Sequence, residues 1–176
     1  MSKELPPCGL YRTTAAFSGV EAGRLVYFHN HGDPGPGVYY PEKWHQNTAQ
    51  FSQRGTTCPP EFDANASLKA LPIEGFYRVL NEFHCCEKQC TKFERDVFVQ
   101  LGYNGSGAPI LFMPELTNAG IKIPEKGTII DEGNLAKIEL LRVAQKDGAT
   151  KSDAGSSGGG GGKPEIKFPR GGFSVH

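Results

Sequence analysis

Three cysteines and a histidine crowd into one seven-residue stretch, His84-Cys85-Cys86-Glu87-Lys88-Gln89-Cys90. Thiolate and imidazole are good zinc ligands, and a closed structural site needs four of them. His84, Cys85 or Cys86, and Cys90 supply two or three. Cys58 or Cys8 could complete the set. The spacing C-C-x3-C differs from the paired C-x2-C of zinc ribbons. Disulfides are the rival use, Cys90 with Cys85, Cys86 or Cys58. Five cysteines is an odd number, so one thiol would stay free or pair with another chain. A reduced, partly buried loop is the plain alternative.

His29-Asn30-His31 is the second metal candidate. On a strand, residues i and i+2 share a face, so both imidazoles could meet one ion. Asp33 or His45 could add a third ligand, and without one the pair is incomplete. Solvated histidines at a hairpin end are the alternative.

Nucleophilic catalysis finds no motif. There is no G-x-S-x-G and no P-loop. Gly102-Tyr-Asn-Gly-Ser-Gly107 is glycine-rich, yet no helix is expected after it, which argues against a phosphate cradle. The chain is therefore expected to be non-enzymatic, with no cofactor beyond the zinc ion its cysteines could hold. Tyr27, Phe28, Tyr39, Tyr40 and Trp44 form an aromatic cluster that is either core or an outward face for a glycan or protein partner.

The elements that must position these residues emerge from an internal repeat. Gly9-Leu10-Tyr11-Arg12 recurs as Gly75-Phe76-Tyr77-Arg78, an offset of 66. Phe17 and Phe83 keep that offset. Leu25-Val26-Tyr27-Phe28 then aligns with Phe98-Val99-Gln100-Leu101 at 73, as does Val38-Tyr39-Tyr40-Pro41-Glu42 with Leu111-Phe112-Met113-Pro114-Glu115. Arg54-Gly55-Thr56 matches Lys126-Gly127-Thr128 at 72. The seven-residue rise falls at His84–Cys90, so the cysteine cluster reads as a loop insertion into the second copy.

The division expected is an N-terminal arm (1–8), module one (9–74), module two (75–144), a Gly/Ser-rich linker (145–163) and a C-terminal peptide (164–176). Strand character appears at Leu10–Thr13, Arg24–Asn30, Gly37–Trp44, Ala49–Gln53 and Leu68–Leu71. In module two it appears at Phe76–Phe83, Asp96–Tyr103, Pro109–Leu116, Gly120–Ile123 and Ala136–Val143. These runs are β-branched and aromatic, bounded by Gly, Pro and Asn. A short turn or helix is expected at Glu132–Leu135, with Asp131 as its cap. The fold class is all-β: a tandem duplication of a small five-stranded barrel or roll, packed as one pseudo-twofold body.

The linker cannot build a core, and its five consecutive glycines mark a flexible tether. Beyond it, Ile166, Phe168, Phe173 and Val175 alternate with polar or small residues as a docking strand would. A tether ending in an apolar peptide suits an accessory subunit of a large assembly, such as a shell, a capsid-like particle or a secretion or injection apparatus. Its partners would be other protein subunits, or copies of itself, bound through the tail and Trp44. A metal-dependent enzyme or metal-stabilised binding protein, and a glycan- or ligand-binding module, are the competing readings. Nineteen basic and nineteen acidic residues leave no basic excess for nucleic acid or for polybasic membrane attachment. No apolar run spans a bilayer and no signal-peptide core is visible, so the expected compartment is the cytoplasm or a particle assembled there.

Overall fold

The computed structural model describes residues 4–144. Of these, 42% lie in strands and 7% in helices, which makes the protein all-β. Its strands are β1 (Gly9–Thr13), β2 (Leu25–His29), β3 (Gly37–Tyr39), β4 (Pro41–His45), β5 (Thr48–Phe51), β6 (Thr56–Thr57) and β7 (Leu68–Ala70) in module one. Module two has β8 (Gly75–Val79), β9 (Phe83–His84), β10 (Lys92–Phe93), β11 (Phe98–Tyr103), β12 (Pro109–Phe112), β13 (Glu115–Thr117), β14 (Gly120–Lys122), β15 (Thr128–Ile129) and β16 (Ile138–Leu140). A single helical turn, α1 (Ala64–Ser67), precedes β7, and a 3-10 helix (Glu132–Lys137) precedes β16. No helix among the described residues is long and apolar enough to cross a membrane.

Each module holds one five-stranded antiparallel sheet, in the orders β6-β3-β2-β1-β7 and β15-β12-β11-β8-β16. The connectivity is the same in both. So is the register. Gly9, Leu10, Tyr11 and Arg12 face Phe28, Tyr27, Val26 and Leu25. Gly75, Phe76, Tyr77 and Arg78 face Leu101, Gln100, Val99 and Phe98. The tetrapeptides that match at offset 66 thus pair with those that match at offset 73. Even a side-chain lock recurs: the Tyr11 hydroxyl donates to the Pro7 carbonyl at 2.8 Å, and the Tyr77 hydroxyl to the Ile73 carbonyl at 2.7 Å.

The change of offset has a structural seat. In module one Phe17 bridges to Val20 across the two-residue turn Ser18-Gly19, whose φ angles of 44° and 80° are left-handed. In module two Phe83 pairs with Phe93, the residue at the equivalent end of the hairpin. The longer connection loops out between β9 and β10 and leaves the pairing intact.

Two sequence expectations change. Gly37–Trp44 and Pro109–Leu116 each break into two strands in different sheets. Pro41 and Pro114 lie at these breaks, and a proline lacks the N–H that an unbroken ladder would need. The sheets are also open rather than closed barrels. The outermost strands β6 and β7 are two and three residues long and do not meet. The expected short helix is present, but Asp131 at its N-cap makes no side-chain capping bond. The cap that does form is at the unforeseen α1, where the Asp63 carboxylate accepts from the N–H groups of Asn65 and Ala66.

The modules share a core. Leu10, Leu25, Ala49, Phe51 and Leu71 of module one pack with Tyr77, Val79, Leu101, Tyr103 and Leu111 of module two. A separate cluster around Tyr11, Val26, Phe28, Val38, Cys58 and Phe62 fills the interior of module one. The β4–β5 hairpin joins the modules. Its tip lies against β11, where the Asn47 amide donates to Gln100 Oε1 and the Gln100 amide donates to the Gln46 carbonyl. Gly102 makes room for this approach, since a Cβ there would sit 2.5 Å from the Asn47 carbonyl oxygen.

Candidate metal centre

Cys8 immediately precedes β1. Because Gly9 pairs with Phe28, the antiparallel register carries Cys8 alongside His29 at the end of β2. His31 lies two residues on, and the two imidazole centroids are 4.1 Å apart. The Cys8 Sγ is 3.3 Å from His29 Nδ1 and 3.7 Å from His31 Nδ1. With Zn–S near 2.3 Å and Zn–N near 2.0 Å, tetrahedral ligand atoms stand roughly 3.3–3.7 Å apart. The two sulfur–nitrogen separations are therefore those that one ion would require, and all three side chains offer ligand atoms within 4.8 Å of one another.

Asn30 holds the arrangement. Its backbone N–H donates to Cys8 Sγ at 3.3 Å. Its amide donates to the Pro6 carbonyl at 3.1 Å, which ties down the arm carrying Cys8. Its Oδ1 is 3.1 Å from the thiol and 2.6 Å from His31 Nδ1. Cys8 and His29 are half-buried and His31 is exposed, so one side of the triad faces solvent. Burial and the neighbouring His31 both hold His29 below the usual imidazole range. Burial raises the hydroxyls of Tyr11 and Tyr27, and the negative charge of Cys8 adds to the effect.

Cys8 is the candidate that sequence reasoning did not assign to the histidine pair. Asp33 and His45, considered for that place, are outside the group. A signal existed in the repeat, because Cys8 occupies the place of Glu74, another ligand-type residue, just before the Gly-x-Tyr-Arg segment. Module two keeps no other part of the triad, with Gly102 and Asn104 where His29 and His31 stand.

A second group forms in the inserted loop. The Sγ atoms of Cys85, Cys86 and Cys90 all lie within 4.8 Å of one another, with Cys85 and Cys86 at 3.6 Å. Cys85 is buried, Cys86 half-buried and Cys90 exposed. The Thr91 N–H donates to Cys85 Sγ at 3.3 Å and the Cys85 N–H returns to the Thr91 carbonyl at 2.9 Å. The Thr91 N–H is the largest cause that lowers the Cys85 thiol, helped by Cys86 and the N–H groups of Cys90 and Cys86 against the effect of burial. Cys90 is raised, chiefly by the charge of Cys86.

The other sequence candidates separate. His84 is not in the thiol group; its backbone carbonyl accepts from the Asn134 amide. Cys58 lies in the module-one interior, where burial pushes its thiol up to about 11. It therefore cannot complete a site with Cys85, Cys86 and Cys90, because it belongs to the other module's core. All five cysteines are free thiols. The aromatic cluster is divided as well. Phe28 is core, Tyr27 and Tyr39 pack against the shared core, and Tyr40 carries the Arg24 guanidinium over its ring. Trp44 donates its indole N–H to the Tyr103 carbonyl at 2.7 Å, across the modules, and stays 43% exposed. Ile166, Phe168, Phe173 and Val175 lie outside the described residues.

The chain matches no protein-family model, and no curated protein or solved structure matches it.

Proposed function

We propose that this is a metal-stabilised binding protein whose Cys8–His29–His31 triad holds one divalent transition-metal ion, with Zn2+ the best match to the donor set. The observation that carries the reading is the convergence of Cys8 Sγ on both Nδ1 atoms at 3.3 and 3.7 Å. One thiolate and two imidazoles suit zinc, and three protein ligands leave a fourth position for water or an incoming ligand. Because Cys8 ends the N-terminal arm, the ion would clip that arm to the tip of β2. Neither Asp33 nor His45 stands in the group as a base for a metal-bound water, so the reading assigns the ion a structural and binding role rather than a reaction. Reduced thiols suit the cytoplasm as its compartment.

Elemental analysis of protein purified without chelator tests this. Wild type should carry one more equivalent of zinc than Cys8→Ser or His29→Ala. Adding zinc to the metal-free wild type at 1,000 times the dissociation constant should stabilise it by about 4 kcal/mol. Equal metal content in wild type and both variants, with no change in unfolding midpoint on adding zinc, would refute it.

A second reading, an accessory subunit of an assembly, is favoured by the β13–β14 hairpin. Its counterpart β4–β5 buries Ala49 and Phe51 against module two, whereas Leu116 and Ile121 on β13–β14 are 86% and 67% exposed. A hairpin that docks within the chain in one copy is here offered outward, to another protein or a second copy. We ascribe the shared connectivity and register of the modules to tandem duplication, which explains why one docking element exists twice. A Leu116→Lys, Ile121→Lys variant should lose the association that the wild type shows in sedimentation or co-purification. If both remain monomeric and bring down the same proteins, the reading fails.

A further inference from the structure

The loop between β9 and β10 is an addition without a counterpart in module one. There the same hairpin closes with the two-residue Ser18-Gly19 turn. In module two the residues 85–91 extend from a ladder only two pairs long, Phe83 with Phe93 and His84 with Lys92. So short a ladder does little to order the loop, and ordering its backbone costs conformational entropy. Part of the compensation is visible. Cys85 exchanges backbone and sulfur bonds with Thr91, the Gln89 N–H closes a turn on the Cys86 carbonyl at 2.9 Å, and the Asp131 N–H reaches the Cys85 carbonyl at 2.7 Å.

The folded loop brings together three thiols and nothing else with ligand chemistry. No imidazole or carboxylate joins the group among the described residues. That donor set differs in kind from the triad at Cys8. A closed zinc site takes four ligands, and here only three are presented. Thiolates alone select soft ions such as Cu(I), which accept three sulfurs in a trigonal plane. The vicinal pair Cys85–Cys86 places two sulfurs 3.6 Å apart, and Cys90 returns from the far side of the turn within 4.8 Å of both. The Thr91 N–H directed at Cys85 Sγ offsets the negative charge that three thiolates would concentrate, and it fixes the buried ligand before an ion arrives. The exposed Cys90 gives the ion a route in from solvent.

We infer that Cys85, Cys86 and Cys90 form a second metal site, a trigonal three-thiolate clasp for a soft monovalent ion of the Cu(I) class, independent of the Cys8–His29–His31 triad.

The test uses full-length, fully reduced protein under anaerobic conditions, with Cys8→Ala introduced to disable the first triad. Cu(I) is supplied as its coloured bicinchoninate complex, and loss of colour reports transfer to the protein. The Cys8→Ala parent should withdraw one equivalent. Adding Cys86→Ser or Cys90→Ser should weaken uptake at least 100-fold, while adding Cys58→Ala should leave it unchanged. Circular dichroism confirms that each variant is folded, and Cys90 is the safest position because it is exposed. The inference is overturned if the parent withdraws no Cu(I). It is equally overturned if the Cys90→Ser variant withdraws as much as its parent, or if the parent binds Zn2+ through the loop thiols in preference to Cu(I). None of these results depends on whether the first triad binds zinc.

Discussion

Glu74 is placed to make the stability of this protein fall as pH rises. It lies in the connection between the modules, and its Oε2 accepts the Ala49 N–H at 3.0 Å. Its Oε1 is buried with no hydrogen-bond partner. Burial pushes the carboxyl up to about 7, against the lowering effect of the Ala49 and Tyr103 N–H groups. The unfolded chain returns it to an ordinary value near 4.5. Between those values the folded state holds a proton that the unfolded state has released. Stability from this group is therefore full below about 4.5, declines as pH rises and is lost above about 7. A rise from 4.5 to about 7, at about 1.4 kcal/mol per tenfold change in proton affinity, gives a swing of ~3 kcal/mol over pH 4.5–8. Glu74→Gln keeps the shape and removes the charge. Urea unfolding from pH 4.5 to 8 should show wild type losing ~3 kcal/mol more than the variant across that window. The amide nitrogen of glutamine falls where Oε1 had no partner, so the variant's absolute stability is less informative than its slope. Glu132, whose carboxyl is held low first by Lys69 and then by Arg12, acts in the opposite direction and only toward acid, and it is common to both proteins. Parallel wild-type and variant curves over pH 4.5–8 would refute the reasoning.

Further measurements probe the module contact and the repeat. Gly102→Ala should cost about 1–3 kcal/mol in thermal or urea unfolding, because its Cβ would meet the Asn47 carbonyl backbone rather than a side chain that can move. Tyr11→Phe and Tyr77→Phe should each cost about 1 kcal/mol, since each removes one hydroxyl bond to a carbonyl four residues back. Unequal losses, with one of them near zero, would show that the two locks are not equivalent. Glu132→Gln should weaken the ion pairs to Lys69 at 2.9 Å and Arg12 at 3.1 Å by up to about 1 kcal/mol, and the loss should shrink in high salt.

Much of the strand framework was legible because it is local. Alternating apolar runs bounded by Gly, Pro and Asn show where strands begin and end, and both Gly-x-Tyr-Arg segments proved to be paired strands. The break at Pro41 and Pro114 was less legible. A run such as Gly37–Trp44 keeps strand composition throughout, and only the packing of the two modules shows that its ends belong to different sheets. The sites divide on the same line. The histidine pair could be read from i, i+2 spacing and the thiols from their crowding in one loop. That Cys8 completes the first group, and that Cys58 does not join the second, depended on contacts between distant segments.

By itself the sequence determined which segments match one another and that the spacing of the matches grows by seven residues at His84–Cys90, since equal spacing of matching residues survives without any knowledge of shape. Only the tertiary structure decided which side chains meet. The register of β1 against β2 brings a cysteine from residue 8 to histidines at 29 and 31. The approach of a hairpin tip to Gly102 covers the same place in module two and leaves it no ligands. A ligand set is a matter of a few ångströms between side chains, and those distances are set by strand pairing and module packing rather than by position along the chain.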